Sequence, residues 1–191
     1  VSTFAAPESL PARLGYAADA RLLIIHADDA GLSHGVNVAT AEAIETGSVS
    51  SFSVMAPSPW LPEIAALCRD NPHWDVGVHL ALTSEWQGYR WLPVAGADAV
   101  PSLLDDDGDM HRDAAAVARD ADAAEAEAEL RAQIERVLAL GIDITHLDTH
   151  MGAVFARADI FAAYYRLGEE YGIPVMVTQP TADAMTRAVE E

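Results

Sequence analysis

Three polar side chains recur at every second position of the segment His146-Leu-Asp148-Thr-His150. Residues two apart lie on the same face of a β-strand, so the two imidazoles and the carboxylate would project together. Such groups are costly to bury without a partner. A divalent cation would supply one, because imidazole nitrogen and carboxylate oxygen bind first-row metals and an open coordination position permits catalysis. A hydrogen-bonded polar network at a strand end is the alternative interpretation.

Two adjacent carboxylates follow an apolar run in the segment His26-Ala-Asp28-Asp29. Carboxylates at the end of a buried strand are expensive unless a positive group compensates them. In α/β sheets and barrels, ligands bind at this carboxyl end of the strands. Capping of the following helix is the alternative role for the pair.

A histidine also lies near the end of the predicted strand at residues 76–80. Period-two alternation places Gly77 and His79 on one face and the apolar residues Val76, Val78 and Leu80 on the other. A lone histidine on a strand is more often a satisfied core group. Three strand ends that each carry Asp or His nevertheless predict a composite metal site.

Strands alternate with helices along the chain, which predicts an α/β fold with parallel pairing. Strands are predicted at residues 22–26, 49–55, 76–80, 144–147 and 174–178, and helices at residues 36–46, 61–68, 130–138 and 160–167. This pattern alone does not separate a doubly wound sheet from a barrel.

Two segments interrupt the alternation. Residues 84–113 form a long loop with Trp86, Tyr89 and Trp91. Loops of this length are usually functional, and the aromatic rings could stack on sugars or cover the core. Residues 113–132 are rich in Ala and acidic residues, which predicts a solvated helix or a mobile approach to one.

Composition restricts the class of partner. The 191 residues include 30 acidic and 11 basic ones, all of the latter Arg, for a net charge of −19. Such a surface argues against binding to nucleic acid or anionic membranes. One cysteine, Cys68, excludes an internal disulfide framework, and no apolar run is long enough for a membrane span.

The length predicts one domain over residues 1–191, with residues 1–20 as an N-terminal extension and residues 84–113 as a loop on the substrate side. The sequence does not decide the cellular compartment of the protein. A cytoplasmic location is slightly favoured, and secretion after removal of a leader is the alternative.

A competing motif is Gly31-Leu-Ser33-His-Gly35, which fits the G-x-S-x-G pattern of serine hydrolases. That motif requires a strand that runs directly into the serine turn. Here the apolar run ends six residues earlier, so Ser33 is better explained as the N-cap of the next helix.

Residues 23–37, 76–83 and 145–150 together resemble the YdjC-like carbohydrate deacetylases, and the three motifs occur in the order of that family. The resemblance implies an irregular (β/α) barrel with one divalent metal ion, zinc or magnesium. It implies Asp29, His79 and His150 as metal ligands and Asp28 as the catalytic base. The sequence departs from the family at His26, where Asn is usual, and at Ala30, where Phe is usual.

Five predicted strands are few for a barrel of eight units, which typically needs ~250 residues. We therefore expect a barrel that is incomplete or open at its C-terminal end, which a second copy in a homodimer could close.

The resulting hypothesis is a metal-dependent hydrolase that removes acetyl groups from an N-acetylated saccharide or glycoconjugate. Asp28 would accept the proton of water, and His146 would protonate the amine, with His26 in reserve. The expected substrate-binding residues are Trp86, Tyr89, Trp91, His26 and Asp148. The alternatives are a serine esterase that uses Ser33, a non-catalytic glycan-binding module that contains metal, and, less favoured by the charge, a metal-dependent phosphoesterase.

Overall fold

The computed structural model describes residues 9–178. Its strands are β1 (His26–Ala30), β2 (Ser51–Val54), β3 (Val76–Leu80) and β4 (Ile144–Thr149). Its α-helices are α1 (Leu10–Arg13), α2 (His34–Glu45), α3 (Leu61–Asp70), α4 (Ala114–Asp120), α5 (Ala123–Ala139) and α6 (Ala158–Tyr171). Two 3₁₀ segments cover Pro101–Leu103 and His150–Phe155. None of the helices in residues 9–178 is both long and apolar enough to cross a bilayer.

The four strands form one sheet in the order β1-β2-β3-β4, and every neighbouring pair is parallel. The predicted α/β class is therefore confirmed. The sheet is open within the described residues, as expected for an incomplete barrel.

One face of the sheet packs under the helices. The β-branched and aromatic residues of β2 and β3 that point this way, including Phe52, Val54 and Val78, are fully buried. They pack against the apolar sides of α3, α5 and α6, including Ile64, Leu130 and Tyr164. Cys68 is also buried in this core. The opposite face carries the polar residues of the strands.

Two predicted strands differ from the structure. Residues 22–25 lie outside β1, and the side chains of Leu23 and Ile24 are 82% and 75% exposed. The ladder starts only at His26 because its partner on β2 is Ser51, and the residues before Ser51 form a turn. In residues 174–178, only Val175 forms a bridge, parallel to Leu147. The prediction of a full fifth strand is wrong for this segment.

The Ala-rich and acidic segment forms two helices that are capped by Asp113 and Asp122. It is not solvated throughout, because Glu129 on α5 is fully buried. Its carboxylate accepts hydrogen bonds from the backbone N–H groups of Val94 (2.9 Å) and Ala95 (2.7 Å). Burial raises the pKa of Glu129. The segment thus anchors the long loop to the core, a role that its composition did not indicate.

Candidate metal centre

The two adjacent carboxylates at the end of β1 point to different partners. The register between β1 and β2 shifts between Ala27 and Ala30, and Asp29 has a φ of 63°. A bulge of this kind re-aims side chains and is common beside active sites, and Asp tolerates the left-handed region better than most residues. As a result, Asp28 faces His26, whereas Asp29 turns toward the ends of the other strands.

His79 projects from the polar face of β3 and is 4% exposed. Its Nε2 lies 3.3 Å from Oδ1 of Asp29, and its Nδ1 lies 2.9 Å from Oδ1 of Asp148 on β4. Strand pairing places His79 directly opposite Asp148. The imidazole is therefore held between two carboxylates.

His150 follows the last residue of β4. The chain turns sharply after it, since Met151 and Gly152 have φ values of 52° and 63°. This turn directs Nδ1 of His150 to within 3.1 Å of Oδ1 of Asp29. Its Nε2 lies 2.9 Å and 3.1 Å from the two carboxylate oxygens of Glu85.

Asp29, His79 and His150 each offer one ligand atom, and these atoms lie within 4.8 Å of one another. One carboxylate oxygen and two imidazole nitrogens form a donor set suited to zinc or another first-row ion. Donors at 2.0–2.1 Å from a tetrahedral ion lie about 3.3 Å apart, close to the 3.3 Å and 3.1 Å that separate the two nitrogens from Asp29. The residues present therefore fit a metal ion, with room for further ligands.

The electrostatics of the cluster favour positive charge. Burial alone would raise the pKa of Asp29, but hydrogen bonds from His150 and His79 hold it below its usual range. Burial would lower the pKa of His79, but Asp148 and Asp29 raise it to about 9. The pKa of Asp148 is also low, because His26 and His79 outweigh the effect of burial. The carboxylates of Asp29 and Asp148 thus favour positive charge on the imidazole of His79.

A second group of polar side chains adjoins this cluster. Nε2 of His26 lies 3.2 Å from Oδ2 of Asp148 and 3.5 Å from Oδ1 of Asp28. Ser51 and Ser53 on β2 hold the same imidazole at 2.7 Å and 3.1 Å. His26, Asp28, Ser51 and Asp148 line a cavity of about 790 Å³ that also includes His79. The proposed base therefore lies beside a histidine and the cluster of predicted ligands.

Residues 22–191 match the family model described as YdjC-like protein. The chain belongs to the YdjC-like family. A carbohydrate deacetylase from Geobacillus stearothermophilus is 36% identical over 155 residues, which cover 81% of this chain and 59% of that protein. One from Thermus thermophilus is 39% identical over 160 residues, or 83% of this chain and 54% of that protein. The chain thus spans little more than half the length of these curated relatives.

Solved structures show the same architecture. A crystal structure of a protein from Enterococcus faecalis V583, described as a cellobiose-phosphate cleavage protein, superposes with a TM-score of 0.76 at 26% identity. The match covers 85% of this chain and 62% of that one. The resemblance to the YdjC-like family that the three motifs indicated is confirmed.

In this YdjC-like chain, His146 lies outside the three-residue cluster but lines the same cavity, and its ring centroid is 5.0 Å from that of His26. Its Nδ1 contacts Oγ1 of Thr145 (2.8 Å) and lies 3.5 Å from Oδ1 of Asp75, near the start of β3. Its Nε2 packs over Gly77 and has no hydrogen-bond partner among the described residues. Burial lowers the pKa of His146. His146 is the third residue of β4, four residues before His150.

The predicted substrate-binding residues differ in exposure. Trp86 is 51% exposed and offers an open ring. Tyr89 is half-buried and donates its hydroxyl to the carbonyl of Leu32. Trp91 is buried, and its ring lies 5.8 Å from that of His150. Asp148 is also buried and contacts His79, and it lines the cavity beside His26.

Sequence reasoning missed two residues of the site. Ser53 donates to Oδ2 of Asp148 at 2.8 Å and also contacts both His26 and His79. Its place two residues after Ser51 on a predicted strand was a signal for the polar face. Glu85 gave no comparable signal, because it lies in a loop whose contacts follow no period.

Ser33 occupies the N-cap of α2, as predicted. Its Oγ accepts the backbone N–H of Val36 at 3.3 Å. The neighbouring His34 pairs with Glu63 at 2.8 Å. The serine is therefore used to begin a helix, which is the structural role expected from its position.

Proposed function

We propose that this chain is a metal-dependent carbohydrate deacetylase, an amide hydrolase that removes acetyl groups from N-acetylated sugars. The observation that carries the proposal is the convergence of Asp29, His79 and His150 at the carboxyl ends of three strands, with Asp28 in the adjoining group that it forms with His26 and Asp148. The carbohydrate deacetylases that are 36–39% identical support the sugar as substrate.

Asp29, His79 and His150 would hold one divalent ion. Two imidazoles suit zinc, and a carboxylate with open positions also accommodates magnesium. When bound, such an ion supplies Lewis-acid polarisation of an acetamide carbonyl and of water. Asp148 and Glu85 hold the outer nitrogens of the two histidines.

Asp28 is the proposed general base. Its side chain is 61% exposed and lines the cavity that also includes His79, so the carboxylate would reach a water molecule in that cavity. The carboxylate would take a proton from water as the oxygen attacks the acetamide carbon. The neighbouring Asp29 would share its charge with the ion that it holds together with the two histidines, which would reduce the repulsion between the adjacent carboxylates.

The amine that leaves needs a proton when the C–N bond breaks. His146 and His26 were the two candidates from the sequence. His26 lies 3.5 Å from Asp28, whereas His146 faces Asp75. We therefore assign the donor role to His26 ahead of His146, and the products are acetate and the free amine.

The substrate would reach the cluster beside the exposed ring of Trp86. Tryptophan suits such a position, because its face stacks on a sugar while its edge stays in contact with water. An N-acetylated saccharide or glycoconjugate is the substrate class that this arrangement and the relatives support.

Acetate release tests the proposal. The purified chain is incubated with N-acetylglucosamine, its β-1,4-linked dimer and longer oligomers, with and without a chelator. We expect acetate from at least one saccharide, loss of release after chelation, and recovery on addition of Zn²⁺ or Mg²⁺. Release that resists chelation would support a serine esterase, and saccharide binding without acetate would support a glycan-binding module.

A further inference from the structure

The two histidines of the cluster share an arrangement. Each directs one ring nitrogen to Asp29 and the other to a second carboxylate. For His79 that carboxylate is Asp148 on the adjacent strand, and for His150 it is Glu85 in the loop after β3. The two outer carboxylates thus occupy equivalent positions behind the two imidazoles.

The geometry of the imidazole ring separates the roles of Glu85 and Asp29. The two ring nitrogens of His150 point in different directions, and Glu85 contacts only Nε2. A neutral imidazole carries a single N–H, so donation of that hydrogen to Glu85 leaves the lone pair of Nδ1 facing Asp29. Glu85 is therefore placed to fix the tautomer and the ring orientation that an ion at Nδ1 requires.

The chain directly before Glu85 is hydrogen-bonded to two other parts of the long loop. The N–H of Ser84 donates to the carbonyl of His111 at 2.7 Å, and Oγ of Ser84 accepts the N–H of Trp91 at 3.0 Å. The indole of Trp91 donates to the carbonyl of Thr83 at 3.0 Å. The carboxylate of Glu85 is 23% exposed and so partly shielded from water. The loop therefore presents this carboxylate in a fixed place.

We propose that Glu85 is a positioning residue that orients His150 for metal binding. This inference rests on the metal centre of the proposed function and deepens it. Partners of metal-bound imidazoles in other proteins raise metal affinity about 10–100-fold, and we expect the same range here.

The test measures metal binding without substrate. Glu85→Ala, Glu85→Gln, His150→Ala and the unmodified chain compete for Zn²⁺ with a colorimetric chelator, and Co²⁺ absorption reports ligand geometry. Glu63→Ala is the matched control, because Glu63 also pairs with a histidine, His34, at 2.8 Å. Thermal unfolding of each variant verifies that it is folded.

We expect Glu85→Ala to lower the affinity for Zn²⁺ about 10–100-fold and to alter the Co²⁺ bands. Glu85→Gln keeps an acceptor oxygen, so its loss is expected to be smaller. Glu63→Ala should leave the affinity unchanged. Unchanged affinity in both Glu85 variants would overturn the proposal. A loss in both that equals the loss in His150→Ala would also overturn it, since Glu85 would then be a ligand.

The Zn²⁺-binding experiment and the acetate assay can fail independently of each other. A chain that binds Zn²⁺ through the expected residues but releases no acetate would contradict the deacetylase and leave the role of Glu85 intact. If the chain releases acetate but its Glu85 variants bind Zn²⁺ as tightly as the unmodified chain, the deacetylase would be supported and the role of Glu85 would be overturned.

Discussion

The two faces of the four-stranded sheet are built by the same backbone and differ in almost every other respect. The helix-covered face carries Phe52, Val54 and Val78, all fully buried in one apolar core. The other face carries histidines, serines and carboxylates that contact one another. Because side chains alternate along each strand, the chain can place stability on one face and the candidate metal centre on the other. Substitutions on the two faces should therefore separate stability from activity.

The largest effect is expected on the polar face. Asp28→Asn should lower turnover about 10²–10⁴-fold, because the amide cannot accept the proton of water. The side chain of Asp28 is 61% exposed, so the free energy of unfolding should change by less than ~0.5 kcal/mol. Rates of acetate release and urea unfolding measure these two properties, and the metal content of the variant verifies that the metal centre is retained.

Asp107→Asn is a suitable control, since Asp107 is an exposed carboxylate whose ion pair is with Arg112 in the long loop. Turnover of the Asp28→Asn variant at the rate of this control would exclude Asp28 as the base.

The opposite pattern is expected on the helix-covered face. Phe52→Ala removes a fully buried ring that packs edge-to-face on Trp74, with 5.7 Å between ring centroids. A cavity of this kind costs about 3–5 kcal/mol of unfolding free energy. Urea unfolding measures the loss, and Phe52→Leu should cost less. The folded variant should bind Zn²⁺ as the unmodified chain does, and a metal affinity that falls with stability would show that the two faces are not separable.

The apolar face was the easier one to predict. The segment Val76–Leu80 places the apolar residues Val76, Val78 and Leu80 on one face, and the structure contains that strand with the predicted bounds. Alternation then placed Gly77 and His79 on the polar face, where the structure has them. The pattern is local, and it depends only on the two-residue period of a strand.

The contacts between segments distant in sequence were harder to predict than the apolar face. The bulge that turns Asp29 away from Asp28 depends on the register of β1 against β2, and no local pattern indicates it. Glu85 and Glu129 were missed because a carboxylate in a loop or an Ala-rich helix usually faces water. Here each carboxylate accepts hydrogen bonds from a segment distant in the sequence, His150 in one case and Val94 in the other.

A smaller effect on the polar face tests its packing. A Cβ at Gly77 would overlap the imidazole of His146, so Gly77→Ala should cost about 1–3 kcal/mol of unfolding free energy. In a His146→Ala background, the obstructing ring is absent and the cost should largely disappear. A double-mutant cycle by urea unfolding gives the interaction energy directly. An equal cost in both backgrounds would mean that the backbone at Gly77, and not contact with His146, disfavours a larger side chain at this position.

The smallest effect concerns Ser33, which lies at the N-cap of α2. Ser33→Ala removes the acceptor for the N–H of Val36 and should cost about 1 kcal/mol of unfolding free energy. Ser33→Asp keeps an acceptor and should recover most of that stability. Both variants should release acetate at the unmodified rate, because the proposed chemistry uses Asp28 and the metal centre. Loss of turnover in both folded variants would instead make Ser33 the nucleophile of an esterase, and the polar face of the sheet would then lose its proposed role.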